Sequence, residues 1–238
     1  LGIIFMMMTT VNAQVNLWNY KPSDVKAIEA DVEKGDISAD ISTNAVVVEL
    51  DEYYDADKCD ISVEKFDNTL KVRIKSKKKW FYFSSKNECK AGLKIKAPAD
   101  KKLFFKVGSG NIEIGRFSNI IRLGLGAGDV HLNGVRGDIS INNGSGNING
   151  DIASENLKIK SGKGNAYLSW VSTPKKGSIV ISGSAFNADF SFPDKTKMNV
   201  SYSGNGKFKS EFDSNSTSNF NIDFKVGAGD LNIRRLKK

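Results

Sequence analysis

The chain has 238 residues, a formal net charge of +8, a single histidine and two cysteines. One histidine and two cysteines cannot supply the usual ligand set of a zinc or iron centre, so we expect no metal and no cofactor. Beyond the N-terminal segment, no stretch approaches the roughly 18 apolar residues of a membrane-spanning helix.

The first segment of the chain is typical of an export signal. The apolar run LGIIFMMM is followed by Val11-Asn12-Ala13, which has the residue types of a signal cleavage site. We therefore expect residues 1–13 to be a signal peptide whose start is missing, with a buried first strand as the alternative. Residues 14–238 are expected to form one domain of an exported protein, in the periplasm or at the surface of a bacterium.

An insert at about residues 43–102 is basic and carries both cysteines. Residues 71–102 contain twelve Lys and Arg against two acidic residues, a net charge of +10 that can attract polyanions. An oxidising compartment would let Cys59 and Cys89 form a disulfide, while two free buried thiols are the alternative.

Within the insert, the stretch KSKKKWFYFSSK (75–86) places four aromatic residues directly after a run of lysines. Lysines beside exposed aromatic side chains suit anionic glycans, lipid head groups or nucleic acid. The alternative is a covered strand with a solvated lysine edge. The candidate site for an anionic ligand comprises Lys75, Lys77, Lys78, Lys79, Trp80 and Tyr82.

A unit of 18 residues repeats four times without a gap between residues 103 and 168. Each unit carries a Gly-x-Gly-Asn/Asp turn, and glycine is the residue that adopts positive φ most readily. The predicted turn residues are Gly108, Gly110, Asn111, Gly126, Gly128, Asp129, Gly144, Gly146, Asn147, Gly162, Gly164 and Asn165, and the turn returns as Gly227, Gly229 and Asp230.

Apolar and polar residues alternate on both sides of each turn, as in Ile139-Ser-Ile141, and this period of two is that of a strand with one buried face. A pair of short strands joined by a tight corner cannot bury its inner face alone. Stacking on identical units would turn the apolar positions into continuous columns. The repeat therefore predicts an all-β parallel β-solenoid with about 18 residues per turn.

Catalytic residues are not apparent in the repeat. His131 occupies a column that Glu113, Asn149 and Tyr167 fill in other units, and this column is expected to face outward. A solvated histidine on a strand is the simplest interpretation. The column contains no cluster of carboxylates such as a glycosidase or lyase would need, so we expect no enzymatic activity.

The strand LKIKAP (93–98), the segment LFFKVGSGNIEIG, and the units beginning GAGDV, RGDI and GSGNI resemble the bacterial putative-adhesin family of exported cell-envelope β-helix domains. The resemblance extends over roughly residues 25–236. It implies a single-stranded, right-handed parallel β-helix and brings no catalytic residues with it.

The sequence thus favours a non-enzymatic cell-envelope protein that serves as a scaffold or a binding surface, as in adhesion. Two alternatives remain: a polysaccharide-acting β-helix enzyme, and an envelope-stress or assembly component. The expected partners are anionic envelope glycans, lipids or other envelope proteins, and no nucleic acid is expected.

Overall fold

The computed structural model describes residues 17–51, 54–77 and 88–237. Regular structure in this part of the chain is almost entirely β-strand, with one short 3-10 helix at Pro22–Asp24, and all the strands join in an 18-stranded sheet. The strands are β1 (Leu17–Tyr20), β2 (Ala27–Lys34), β3 (Ile37–Ile41), β4 (Val46–Leu50), β5 (Cys59–Phe66), β6 (Thr69–Ser76), β7 (Leu93–Ala97), β8 (Lys102–Ser109), β9 (Ile112–Ile114), β10 (Ile121–Ala127), β11 (Val130–Val135), β12 (Ile139–Ile152), β13 (Asn156–Trp170), β14 (Gly177–Phe192), β15 (Asn199–Asn205), β16 (Phe208–Ser210), β17 (Phe220–Ala228) and β18 (Leu231–Arg235).

Parallel pairing aligns the repeated units side by side. On what we call the first face, β8 pairs with β10 and β10 with β12, which places Ile121 between Leu103 and Ile139. On the second face, β9 pairs with β11 and β11 with the second half of β12. Strands β12, β13 and β14 are long enough to run around the corner and to contribute to both faces. The predicted all-β, solenoid-like architecture is confirmed.

The interior between the faces is filled with apolar side chains that are almost fully buried. Burial of one such side chain contributes about 1.5–3 kcal/mol before the conformational entropy is counted. The four repeats supply the columns Leu103, Ile121, Ile139, Leu157; Phe105, Leu123, Ile141, Ile159; and Ile112, Val130, Ile148, Ala166. Because each column continues through neighbouring layers, no single layer has to form a core of its own.

An aromatic cluster closes the interior beyond β13. The indole of Trp170 stacks on the ring of Phe192 at a centroid distance of 4.3 Å and meets Phe190 edge to face at 5.3 Å. The indole N–H of Trp170 donates a hydrogen bond to the carbonyl oxygen of Ser154 at 2.9 Å. The buried polar end of the indole is therefore satisfied, as burial of tryptophan requires.

The N-terminal layers do not follow chain order. Strand β2 pairs directly with β8 and β3 with β9, although the insert separates them in sequence. The insert contributes the next layer outward, in which β6 pairs with β2 and β7 pairs with β3. Antiparallel strands β5, β4 and β1 then form the edges of this end. The insert is thus part of the stack and not an appendage to it.

The C-terminal end repeats this arrangement. Strands β17 and β18 pair directly with β14, and β15 and β16 lie outside them. Simple chain order would have placed residues 199–210 between residues 192 and 220 in the stack, and that order is wrong. The residue pattern shows which side chains face inward, but it does not determine which layer is the neighbour.

One inward column of the stack is polar in two adjacent layers. Asn143 is 1% exposed and occupies the column that Leu125 fills in the layer before it. Neither the nitrogen nor the oxygen of its side-chain amide has a hydrogen-bond partner in the protein, and the hydroxyl of Ser161 in the next layer has none either. A buried amide without partners destabilises the folded state.

Replacing Asn143 by leucine is expected to stabilise the protein by about 1 kcal/mol, because it removes this unsatisfied amide and continues the apolar column. Chemical denaturation measures the change, and Asn142→Leu, at the exposed neighbouring position on β12, is the matched control with little expected effect. A lower stability of Asn143→Leu would show that the amide is satisfied in solution.

Candidate functional site

The predicted turn residues lie at the corner between the two faces. The φ angles of Gly110, Gly128 and Gly146 are 148°, 140° and 132°, values that residues with a side chain rarely adopt. A Cβ atom added to Gly128 would overlap the carbonyl oxygen of Gly110 in the preceding layer, and Gly146 stands in the same relation to Gly128. The glycines therefore let adjacent layers approach at the corner, and they form no pocket for a ligand.

Asn and Asp side chains at this corner form a ladder that crosses the layers. The backbone N–H of Asp129 donates to Oδ1 of Asn111 at 3.0 Å, and that of Asn147 donates to Oδ1 of Asp129 at 2.7 Å. The side-chain amide of Asn165 donates in turn to Oδ1 of Asn147 at 2.8 Å. The ladder continues through Asp36, Asn187 and Asp230. These side chains satisfy corner N–H groups, so their role is structural.

The two cysteines form the predicted disulfide. Cys59 begins β5, Cys89 precedes β7, and their Cα atoms are 4.8 Å apart. Both residues are buried, and the backbone N–H of Cys89 donates to the hydroxyl of Ser76 at 3.0 Å. The bond ties the hairpin of β5 and β6 to the strand that follows it. A buried disulfide of this kind is typical of proteins that fold in an oxidising compartment.

The basic insert is less cationic in the fold than its sequence predicted. The ammonium group of Lys75 pairs with Asp31 on β2 at 3.3 Å, and Lys71 lies 3.9 Å from Glu29 on the same strand. Lys77 donates a hydrogen bond to the carbonyl oxygen of Ala56 at 2.9 Å. Lys75 and Lys77 therefore each have a partner within the protein, Lys75 because β2 brings Asp31 beside β6. Lys78, Lys79, Trp80 and Tyr82 lie outside the described residues.

A turn that precedes β5 carries a perturbed carboxyl group. Lys58 donates a hydrogen bond to Asp55 and lies 2.9 Å from its Oδ2, and this contact holds the pKa of Asp55 below its usual value. Asp55 is exposed, so the contact orients the turn with little effect on stability.

The outward column on the second face contains the only histidine. His131 lies beside Glu113 on β9 and beside Asn149 on β12, as the repeat predicted, and Tyr167 follows on β13. The side-chain amide of Asn133 donates to the carboxylate of Glu113 at 3.0 Å. Among the described residues, no three His, Cys, Asp or Glu side chains are grouped closely enough to hold a metal ion.

A broad depression lies on the outside of the first face. We call it the outer trough. It has a volume of about 780 Å³ over β5, β6, β2, β8, β10 and β12, and a second depression of about 280 Å³ continues it over β13 and β14. Arg122 and Ser140 line both parts. The residues on which its chemistry depends are Phe104, Lys106, Arg122, Gly124, Ser140, Asn142 and Lys158.

The outer trough was not predicted from the sequence. Its residues belong to the outward positions of the same 18-residue units, so Phe104, Arg122, Ser140 and Lys158 form one column across four layers. The repeat gives this column directly, and comparing its outward residue types across units is the signal that could have located the site. The inward columns and the glycine corner repeat more regularly than this outward column, so they dominate the pattern of the sequence.

The Toastrack DUF4097 family profile matches residues 25–235 of the chain. The chain belongs to this family. The match covers both faces of the stack, the insert and the end layers, and it confirms the resemblance to bacterial putative adhesins that the sequence indicated. No curated protein matches the chain significantly.

Several solved structures of bacterial proteins are similar to the chain. A putative cell adhesion protein from Clostridium sporogenes is 12% identical, with 94% of this chain and 99% of that chain covered and a TM-score of 0.42. A putative adhesin from Bacteroides fragilis is 17% identical, covers 94% and 97%, and has a TM-score of 0.44. A putative lipid binding protein from Parabacteroides distasonis is 16% identical, covers 95% and 98%, and has a TM-score of 0.40. Similarities this distant assign neither a ligand nor an activity.

The described part of this Toastrack chain contains no helix that is long and apolar enough to cross a membrane. Its disulfide is consistent with an exported protein.

Proposed function

We propose that the protein is a non-enzymatic component of the bacterial cell envelope that binds envelope polymers through the outer surface of its β-stack. The observation that carries this proposal is the outer trough, which crosses successive layers and presents side chains at a spacing fixed by backbone hydrogen bonds. A rigid surface with a repeated chemical pattern suits a ligand that is itself a repeating chain, because binding then costs the protein little conformational entropy.

The scaffold in this proposal is a right-handed parallel β-helix with about 18 residues per turn in its regular part. Residues 14–238 form a single mature domain, and residues 1–13 are a leader that is removed on export. Parallel registers such as Ile139 beside Leu157 support the parallel β-helix. The buried Cys59–Cys89 bond supports export to the periplasm or the cell surface.

Binding without catalysis is supported by the state of the carboxylates near the outer trough. Glu29 and Asp31 are the acidic residues of β2 that line it, and each lies beside a lysine of β6. Glycoside cleavage needs two carboxyl groups placed on either side of the bond that is broken. Glu29 and Asp31 are each engaged with a lysine of β6 instead, so this pair is suited to holding layers together.

Cosedimentation tests the function. Purified residues 14–238 should be retained saturably by washed, protein-free envelope material from a bacterium, and the soluble fraction should contain no new saccharide fragments after prolonged incubation. Cytochrome c, another basic protein, controls for simple charge attraction. Absence of saturable retention would contradict the binding function, and release of fragments would favour the polysaccharide-acting enzyme.

A further inference from the structure

Several cations on the outside of the first face have no acidic partner among the described residues, and four of them lie on β8, β10 and β13. Lys106, Arg122, Lys158 and Lys160 are exposed on adjacent or nearly adjacent layers, and none lies within 4.0 Å of a carboxylate. This distinguishes them from Lys71 and Lys75 of the same face, which face β2. Unpaired positive charge thus lies on the regular repeats as well as on the insert, from which Arg73 also lines the outer trough.

Small residues separate these cations and form the floor of the outer trough. Gly124 lies beside Asn142, and Ser140 lies between Arg122 and Lys158 in the register of the parallel strands. Layers are about 4.8 Å apart, so Arg122 and Lys158 stand roughly 10 Å from each other across this floor. The floor offers a hydroxyl and an amide, groups that exchange hydrogen bonds with sugar hydroxyls.

An aromatic ring lies at one end of this floor. Phe104 faces outward and is half-buried, and the guanidinium carbon of Arg122 lies 5.5 Å from the centre of its ring. This contact holds the guanidinium of Arg122 at the edge of the floor. The arrangement combines a fixed cation and hydrogen-bonding groups within two layers.

Acidic residues limit the cationic part of the outer trough. Glu29 and Asp31 lie on the layer beyond Phe104, and Asp138 lies beside Arg122 and Lys158 in the smaller depression. Asp138 accepts a hydrogen bond at 2.9 Å from the side-chain amide of Asn156. An anionic ligand would thus be attracted to the segment from β8 to β13, whereas the acidic residues of β2 are already paired with lysines of β6 and add no net attraction.

From this placement we propose that the outer trough binds a linear, negatively charged polysaccharide, with its acidic groups at Lys106, Arg122, Lys158 and Lys160 and its hydroxyls over Ser140 and Asn142. The chain would lie along the stack, because that is the direction in which the cations repeat. The inference rests on the proposed function and specifies its ligand class and its location.

The chemistry favours a glycan over other polyanions. A single aromatic ring, already in contact with Arg122, offers no series of platforms on which nucleic-acid bases could stack. Between Arg122 and Lys158 the floor presents the hydroxyl of Ser140, a group that bonds to sugar hydroxyls and not to acyl chains. Alternating cations and hydrogen-bonding groups instead match a polymer that carries both carboxylates and hydroxyls.

Binding to defined polymers tests the assignment. The full chain from residue 14 should bind polygalacturonate, and the affinity should fall steeply between 50 mM and 500 mM NaCl, concentrations over which exposed charges become screened (the Debye length is about 10 Å at roughly 0.1 M). The double variant Arg122→Ser, Lys158→Ser should bind at least about fivefold more weakly, from two exposed ion pairs of ~0.5 kcal/mol each. Dextran, which is neutral, should not bind.

The matched control removes two cations from elsewhere. Lys175 and Lys176 are exposed in the loop before β14, and Lys175→Ser, Lys176→Ser should bind polygalacturonate within about twofold of the unaltered protein. Equal losses in both double variants, binding of dextran, or stronger binding to phosphatidylglycerol vesicles or single-stranded DNA would overturn the proposal. If envelope material retains the trough variant as well as the unaltered protein, the ligand assignment fails and the proposed function stands.

Discussion

Replacing Gly128 by valine is expected to lower the free energy of unfolding by at least about 3 kcal/mol, or the melting temperature by roughly 6–12 °C for a chain of this size. Two costs add at this position. The φ angle of 140° is strained for a β-branched residue, and the new Cβ atom would overlap the carbonyl oxygen of Gly110. Because the neighbouring atom is backbone, relief requires the layers themselves to move apart.

The matched control for this substitution lies on the preceding strand. A Cβ atom at Gly124 would have its nearest contact at 3.6 Å, with Cγ of Lys106, and the φ angle there is not positive. Gly124→Val should therefore change stability by less than about 0.5 kcal/mol, or raise it, because valine favours strands. Thermal and urea denaturation of both variants measures the difference. Similar melting temperatures for the two would contradict the account of the corner.

Removal of the disulfide should have the second large effect. The double variant Cys59→Ala, Cys89→Ala is expected to lose about 3–4 kcal/mol of stability, because the bond closes a long loop in the unfolded chain. Alanine avoids the unsatisfied hydroxyl that serine would place at these buried positions. Chemical denaturation with and without a reductant measures this change.

The reductant supplies the internal control for the disulfide. It should lower the melting temperature of the unaltered protein to that of the double variant and leave the double variant unchanged. Thiol titration should find no free thiol in the native protein before reduction. Two thiols that react in the native, unreduced protein would contradict the bond.

Much of the fold could be predicted because the repeat leaves a regular imprint on the sequence. Alternation at Ile139 and Ile141 gives the buried side of a strand, and the spacing of Gly128 and Gly146 gives the corner. Where units keep the same length, the register of parallel pairing follows from the alignment of the units. The Asn and Asp column could be predicted for the same reason.

The end layers could not be predicted, because their order is a long-range property. Strand β6 lies against β2 and β15 lies against β17, in each case outside the order of the chain. This order also sets the local charge. Lys75 is neutralised by Asp31 only because β2 is its neighbour in space, so a charge count along the sequence overestimated the free charge of the insert.

The outer trough could be predicted only in part. The repeat establishes that Arg122, Ser140 and Lys158 face outward in one column. Whether outward side chains form a depression depends on their sizes in neighbouring layers, and on whether acidic residues from distant segments reach them. Whether acidic residues reach the outward side chains can be determined only when the order of all the layers is known.

The most direct test of the account compares its two basic surfaces in one titration. Polygalacturonate binding should be measured for the trough variant Arg122→Ser, Lys158→Ser and for an insert variant in which Lys77, Lys78 and Lys79 are changed to serine. We predict that the trough variant loses most of its affinity and that the insert variant retains affinity within about twofold, because Arg122 and Lys158 line the outer trough without an acidic partner. The opposite result, with affinity lost only in the insert variant, would place the anionic ligand on the insert and contradict the account.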